Sequence, residues 1–316
     1  MSAPDVLIHA RGLSKSFGGA VAVDGIDFDI RRGEAFGFLG PNGAGKSSTM
    51  RMVGCVSPPS AGELSILGLD PVTDGRLIRA RLGVVPQEDT LDVELTVREN
   101  LLIYGRYFGL PRDLISERTA RLLEFVQLAD RANDQVEPLS GGMKRRLTIA
   151  RSLISEPEIL LLDEPTTGLD PQSRARMWDE VRKLRDIGTT VFLTTHYLEE
   201  ADALCDRIAI IDHGKIVALG TPDALKRQVA GDVVVVGTDN ASDRVLQLLR
   251  GESFVREATA GDGVVRLYVD RGETAMPQII RALDAEGIVL SSLSLNRPSL
   301  DDVFLRQTGR SLRDAA

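Results

Sequence analysis

Gly40-Pro41-Asn42-Gly43-Ala44-Gly45-Lys46-Ser47 carries the full spacing of a phosphate-binding loop, and Ser48 opens the run behind it. Glycines there let backbone N–H groups turn inward around oxygen atoms, and a helix start adds positive potential. Lys46 is placed to reach the β- and γ-phosphates of a nucleotide, and the Ser47 hydroxyl to ligate Mg²⁺. The plainer reading is an incidental glycine-rich turn, which needs no strand before it and no helix after it. Here the apolar run GEAFGFLG (33–40) precedes the loop and a helix-like run follows, so a nucleoside triphosphate site is expected.

In ILLLDE (159–164) an apolar run delivers two carboxylates at its C-terminal end, the edge where open α/β sheets bind ligands. Consecutive strand residues point to opposite faces, so the two acids are expected to divide the work. Asp163 is assigned to Mg²⁺, and Glu164 to positioning or deprotonating an attacking water. Without the phosphate loop, an acidic strand end in solvent would be the better reading. His196 closes the apolar run TTVFLTTH (189–196) and is expected on the same edge, within reach of the γ-phosphate or the water. His9 and His213, the other two histidines, read as structural. Gln87 closes GVVPQ with an amide suited to Mg²⁺ or water, and means nothing by itself. LSGGM (139–143) sets Ser140, Gly141 and Gly142 at a helix-like start, a second phosphate socket in a chain that already has one.

These groups need a scaffold. GEAFGFLG, RLGVVPQ (81–87), PEILLLDE (157–164) and TTVFLTTH are β-rich with few charges, as strands buried on both faces of a parallel sheet are. SRARMWDEVRKLRDIG (173–188) has apolar residues at helical spacing and a glycine at its end. The alternation predicts an α/β core, to which IAIIDHGKIVALG (208–220) adds a hairpin turning at His213-Gly214. Helical runs at 96–110 and 115–130 form an insert, a helical subdomain of about 88–156. Near residue 230 the rhythm becomes βαββαβ, that of a small α+β domain of the ferredoxin-like plait. Domains are therefore expected at 1–229 and 230–316, meeting at Val229-Ala230-Gly231.

The chain's 316 residues suit one large domain and one small one, and a net charge of −8 argues against nucleic acid bound by bulk charge. Cys55 and Cys205 lie far apart with no metal spacing, so no disulfide framework is implied and a reducing compartment is expected. MSAPDVLIHARG lacks a basic start and apolar core, so no export signal is expected. No stretch approaches the roughly 20 apolar residues of a membrane span, so any membrane role is expected to come through a partner.

Together these motifs resemble those of the ATP-binding-cassette (ABC) ATPases, over residues 6 to about 228. GPNGAGKSS resembles that family's Walker A loop, ILLLDE its Walker B, Gln87 its Q-loop glutamine and LSGGM its signature. Gly168-Leu169-Asp170 resembles the D-loop, His196 the switch histidine, and Phe17 stands where the family stacks an aromatic ring on adenine. The resemblance implies ATP and Mg²⁺ as cofactors and a homodimer of head-to-tail cassettes. In such a pair the signature of one copy closes on ATP bound to the other, with Ser140, Gly141 and Gly142 binding in trans. The family's usual fifth signature residue is Gln; Met143 here removes an amide's hydrogen bonds but not those of Ser140 and the glycine backbone. The insert is the region that docks a membrane subunit in this family, and its apolar residues also serve a packed subdomain.

VPQEDTLDVELTVRENLLIYGRYFGL is similar to bacterial exporter cassettes for drugs such as daunorubicin and for nodulation lipo-oligosaccharides. LNRPSLDDVFLRQTGR (295–310) is similar to the drug-resistance type's C-terminal end, with Ser299 as a helix N-cap. The reading is the ATPase subunit of an exporter with a separate integral-membrane permease, peripheral to the cytoplasmic face of the cell membrane. The C-terminal domain is expected to stabilise the dimer, regulate it, or merely pack. A soluble cassette acting on a cytosolic assembly is the alternative, and a catalytically silent nucleotide sensor is opposed by Glu164 and His196.

Overall fold

The computed structural model describes residues 5–229, 232–238, 242–261, 264–296, 299–310 and 312. Contacts divide them into two units between Thr221 and Pro222. The division falls before the expected boundary at 229–231, of which residues 230 and 231 lie outside the described residues.

In chain order the first unit holds β1 (Val6–Phe17), β2 (Ala20–Arg31), β3 (Ala35–Leu39), α1 (Lys46–Val53), β4 (Ala61–Ile66), α2 (Gly75–Arg79) and β5 (Leu82–Val85). Three helices follow, α3 (Val97–Tyr107), α4 (Arg112–Phe125) and α5 (Gly141–Ser152). The unit continues with β6 (Ile159–Asp163), α6 (Pro171–Asp186), β7 (Thr190–Thr195), α7 (Leu198–Leu204), β8 (Arg207–Asp212) and β9 (Lys215–Gly220).

Strands β5-β6-β7-β3-β8 run parallel side by side, and β9 closes the edge as the antiparallel arm of the His213-Gly214 hairpin. Strands β3 and β7 are buried at every position, which explains their unbroken apolar runs. An antiparallel sheet, β2-β1-β4, packs on this one through Phe28. The Phe28 ring stacks on Phe36 at 5.9 Å and meets Phe38 edge-on at 5.1 Å, and Phe192 closes the cluster. Helices α3, α4 and α5 pack on one another as the expected helical insert. A Thr96–Glu99 capping box starts α3.

The second unit holds α8 (Pro222–Val229), β10 (Asp232–Thr238), α9 (Ser242–Leu249), β11 (Val255–Gly261) and β12 (Val264–Val269). It ends with α10 (Gly272–Ala285), β13 (Leu290–Asn296) and α11 (Leu300–Thr308). Its antiparallel sheet has the order β11-β12-β10-β13, the plait expected of βαββαβ. Val234, Val236 and Leu267 share a core with Val245 and Leu249 of α9 and Ile279 and Leu283 of α10. Helix α8 joins this unit by packing on α11, which Ser299 caps through a box with Asp302. No helix among the described residues is long and apolar enough to cross a membrane.

Candidate active site

Neighbouring parallel strands bring the chemistry together. Because β5, β6, β7 and β3 lie side by side, their C-terminal ends share one edge. Gln87 follows β5, Asp163 ends β6, His196 follows β7, and the 40–47 loop follows β3.

The loop closes against the protein behind it. A Cβ at Gly40 would meet the Ile211 carbonyl oxygen at 2.2 Å, so only glycine fits. Gly45 has φ +105°, and a Cβ there would meet the Ala22 oxygen at 2.4 Å. No side chain caps α1, which leaves its first-turn N–H groups to a bound anion. Pro41 and Ala44 are buried, Asn42 and Gly43 exposed, and Ser47 and Ser48 half-buried. The Lys46 ammonium, buried, donates to the carbonyls of Gly40 at 2.7 Å and Pro41 at 2.9 Å. Burial lowers its pKa, and Glu164 Oε1, 3.4 Å away, opposes that shift.

The two acids do not face opposite sides. Strand β6 ends at Asp163, and Glu164 leaves it with φ 45°, a left-handed turn that strand alternation does not anticipate. The turn is pinned where the Glu164 N–H meets Thr194 O at 3.0 Å and Thr194 Oγ1 at 3.1 Å. Both carboxylates therefore meet the Lys46–Ser47 step. Asp163 Oδ1 accepts from Ser47 Oγ at 3.2 Å and from Thr194 Oγ1 at 2.5 Å. Glu164 Oε2 accepts from Gln87 Nε2 at 3.3 Å and Thr167 Oγ1 at 3.2 Å. His196 Nδ1 lies 3.3 Å from the same oxygen but off the direction a hydrogen bond needs, and is buried with no partner. Proximity to His196, then the Lys46 ammonium, hold the Glu164 carboxyl at about 2 against the upward push of burial.

These residues fit a Mg-nucleotide. An uncapped helix start and an orphaned imidazole nitrogen face phosphate chemistry, and a hydroxyl and a carboxylate meet where the metal belongs. Mg²⁺ sites on phosphates use one or two carboxylates. No cage of three or more His, Cys, Asp or Glu occurs among the described residues. Phe17 stands apart from this cluster, half-exposed, with the Lys15 ammonium 5.0 Å above its ring.

The second socket is built differently. Ser140 caps α5, its hydroxyl accepting the Met143 N–H at 3.3 Å, and Ser140 and Gly141 are exposed. Gly142 lies against Ser173 at the start of α6, where a Cβ would meet Ser173 Oγ at 2.6 Å. Among the described residues, no hydrogen bond or ion pair joins residues 140–142 to the Lys46 cluster.

Known proteins resemble this chain along most of its length. A family profile described as "ABC transporter" matches residues 23–167, and one described as "ATP-binding protein DrrA1-3-like, C-terminal domain" matches 220–308. The Nod factor export ATP-binding protein I of Sinorhizobium fredii is 45% identical over 314 residues, 99% of this chain and 89% of that protein. Its counterpart in Ralstonia nicotianae is 43% identical over 311 residues, covering 98% of this chain and 95% of that one. The chain belongs to the ABC transporter family. Its cassette resembles cbiO1 of Clostridium perfringens, described as part of the ABC transporter complex cbiONQ. That structure is 27% identical with TM-score 0.65, over 71% of this chain and 94% of that one. A dimeric cassette in a post-hydrolysis state bound to ADP and Pi is 28% identical with TM-score 0.62, over 68% and 98%. As a member of this family the protein binds ATP with Mg²⁺ and is an ATP hydrolase.

Two residues of this ABC cassette escaped the sequence reading. Arg145 of α5 donates to the main-chain oxygens of Asp163 at 2.9 Å, Glu164 at 3.3 Å and Pro165 at 2.8 Å, and to Pro86 O next to Gln87. Burial lowers its pKa to about 10. In the run KRR it reads as a solvated face, and no local signal reveals that it ties the signature helix to the acidic strand end and the Gln87 segment. Thr194 is a buried strand residue whose hydroxyl touches both acids.

Proposed function

We propose that this protein is the ATPase subunit of an exporter, working on the cytoplasmic face of the membrane with a separate integral-membrane permease. The curated relatives named for Nod factor export support an amphiphilic cargo: a lipid-linked sugar, drug or antibiotic. Two copies pair head to tail, so that each phosphate loop is closed by the other's Ser140, Gly141 and Gly142. One observation carries this reading: Lys46, Asp163, Glu164 and His196 form one cluster, while residues 140–142 at the exposed, capped start of α5 make no hydrogen bond or ion pair to it among the described residues.

Mg²⁺ bound to ATP supplies charge neutralisation at the transferring phosphoryl group. Ser47 and Asp163 would hold that ion with the Gln87 amide oxygen, and Gly40, Pro41, Asn42, Gly43, Ala44, Gly45 and Ser48 would shape the cradle around the phosphates. Lys46 would turn its ammonium to the γ-phosphate. Glu164, ionised at every physiological pH, orients the attacking water and accepts its proton. His196 offers its unpartnered nitrogen to the water or phosphate, and Phe17 offers its ring to adenine. The C-terminal domain, expected at 230–316, stabilises or regulates the dimer.

The test is assembly. With Glu164→Gln and ATP, the full chain should run as a dimer in light scattering and co-purify with an integral-membrane subunit. A strictly monomeric variant, even beside its membrane subunit, would sink the reading. Recovery with ribosomes instead would point to the cytosolic alternative.

A further inference from the structure

Thr194 sits on β7 opposite Asp163 in the parallel register. Its side chain is fully buried, and both capacities of its hydroxyl are engaged. It donates to Asp163 Oδ1 at 2.5 Å, the same oxygen that accepts from Ser47, and it accepts the Glu164 N–H at 3.1 Å. A hydroxyl–carboxylate bond is charge-assisted and directional. The other bond lies at the residue that holds a left-handed φ of 45°. A non-glycine residue keeps that conformation only where its surroundings over-determine it. One hydroxyl thus touches a carboxylate of the metal position and the backbone of the water-activating acid.

We propose that Thr194 is a positioning residue for hydrolysis, holding the Asp163 carboxylate in its metal-binding orientation and fixing the turn that presents Glu164. The inference rests on the reading that Asp163 takes the metal and Glu164 the water. Loss of a group that orients a metal ligand typically costs about 10–100-fold in metal affinity or activity.

Valine is the decisive replacement: it keeps the β-branched shape that β7 packs and puts a methyl group, which can neither donate nor accept, in place of the hydroxyl. The Glu164 N–H keeps its bond to the Thr194 main-chain oxygen, so the strand pairing survives. Mn²⁺ replaces Mg²⁺ as the probe. The full chain is saturated with a non-hydrolysable ATP analogue, and Mn²⁺ affinity is read by electron paramagnetic resonance. Thr194→Val should weaken Mn²⁺ by about tenfold while leaving metal-free analogue affinity within about twofold, and Thr194→Ser should restore most of the loss. ATP turnover should fall in parallel, with KM at saturating metal unchanged. Should the valine variant fail to fold, Thr194→Ala removes the same hydroxyl and serves for the same measurement. Asp163→Asn separates the two levels of the argument. If it weakens Mn²⁺ and the Thr194 variants do not, or if serine rescues nothing, the positioning role is wrong and the metal assignment stands. If Asp163→Asn leaves Mn²⁺ affinity intact, both fall.

Discussion

Two helix starts in this cassette are suited to phosphate, and they are finished to different degrees. Helix α1 begins at a buried lysine with no side-chain cap, ringed by two carboxylates, a glutamine and a histidine. Helix α5 begins in solvent, its cap Ser140 satisfying the Met143 N–H and no acid in its first turn. An uncapped buried helix start is a site awaiting an anion, whereas a capped exposed one is stable alone and can become a site when something approaches. The difference is what the proposed division of labour rests on: the first socket would set the monomer's ATP affinity and the second would serve closure.

Removing the acid of the first socket should give the largest effect. Glu164→Gln should lower ATP turnover by roughly 10²–10⁴-fold, the range for a lost general base, with nucleotide affinity in the monomer little changed. Turnover is measured as phosphate release and affinity by a fluorescent nucleotide. Wild-type turnover in this variant would break the assignment of Glu164 to the attacking water.

Arg145 is where the two sockets touch, since it stands on α5 and binds the main chain of Asp163, Glu164 and Pro165. Arg145→Met should leave several buried carbonyls unpaired and cost about 2–3 kcal/mol in urea unfolding. Turnover should drop roughly tenfold, as expected when a positioning group is lost. If α5 needs no tie to the hydrolysis edge, both numbers stay near wild type and the sockets are independent. Ser140→Ala should cost less, about 1 kcal/mol of stability through the lost cap. Monomer ATP binding should survive while ATP-dependent dimerisation weakens. Equal loss in both assays would erase the contrast between the sockets.

Much of the first socket was legible because phosphate chemistry demands fixed residues at fixed spacing: Gly40 to Ser47, then acids at a strand end. Buried parallel strands also announce themselves, as AFGFL and TVFLTT do by carrying no alternation. What stayed hidden depends on partners distant in sequence. Strand order decides that Thr194 faces Asp163. The left-handed turn at Glu164 depends on the Thr194 contacts, and it defeats the alternation rule that would separate the two acids. Arg145 reads as surface until the fold supplies carbonyls around it. Likewise α8 belongs with the second unit through α11, about 70 residues later in the chain, where no composition shift marks the join.

The acids behind the two sockets are tuned in opposite directions, which makes pH a way to address one and not the other. Glu164 is held at about 2, so its stabilising contribution is present above the ordinary carboxylate range and is lost only as pH falls toward 2. Glu180 of α6 is buried, with Oε2 unpartnered, and burial lifts its pKa to about 8 although Arg146 of α5 pulls it down. A raised carboxyl works the other way: its contribution is complete below about 4.5 and drains as pH rises through about 8. Between pH 7 and 8 the folded state still holds half or more of a proton that the unfolded chain has already lost, so stability falls by roughly 1 kcal/mol across that interval. Glu180→Gln cannot titrate, so it should flatten that decline in urea melts while leaving turnover at pH 7 alone. A variant whose stability still falls as steeply as the wild type between pH 7 and 8 would show that the helix behind the signature carries no titrating acid, and the electrostatic half of the contrast would go.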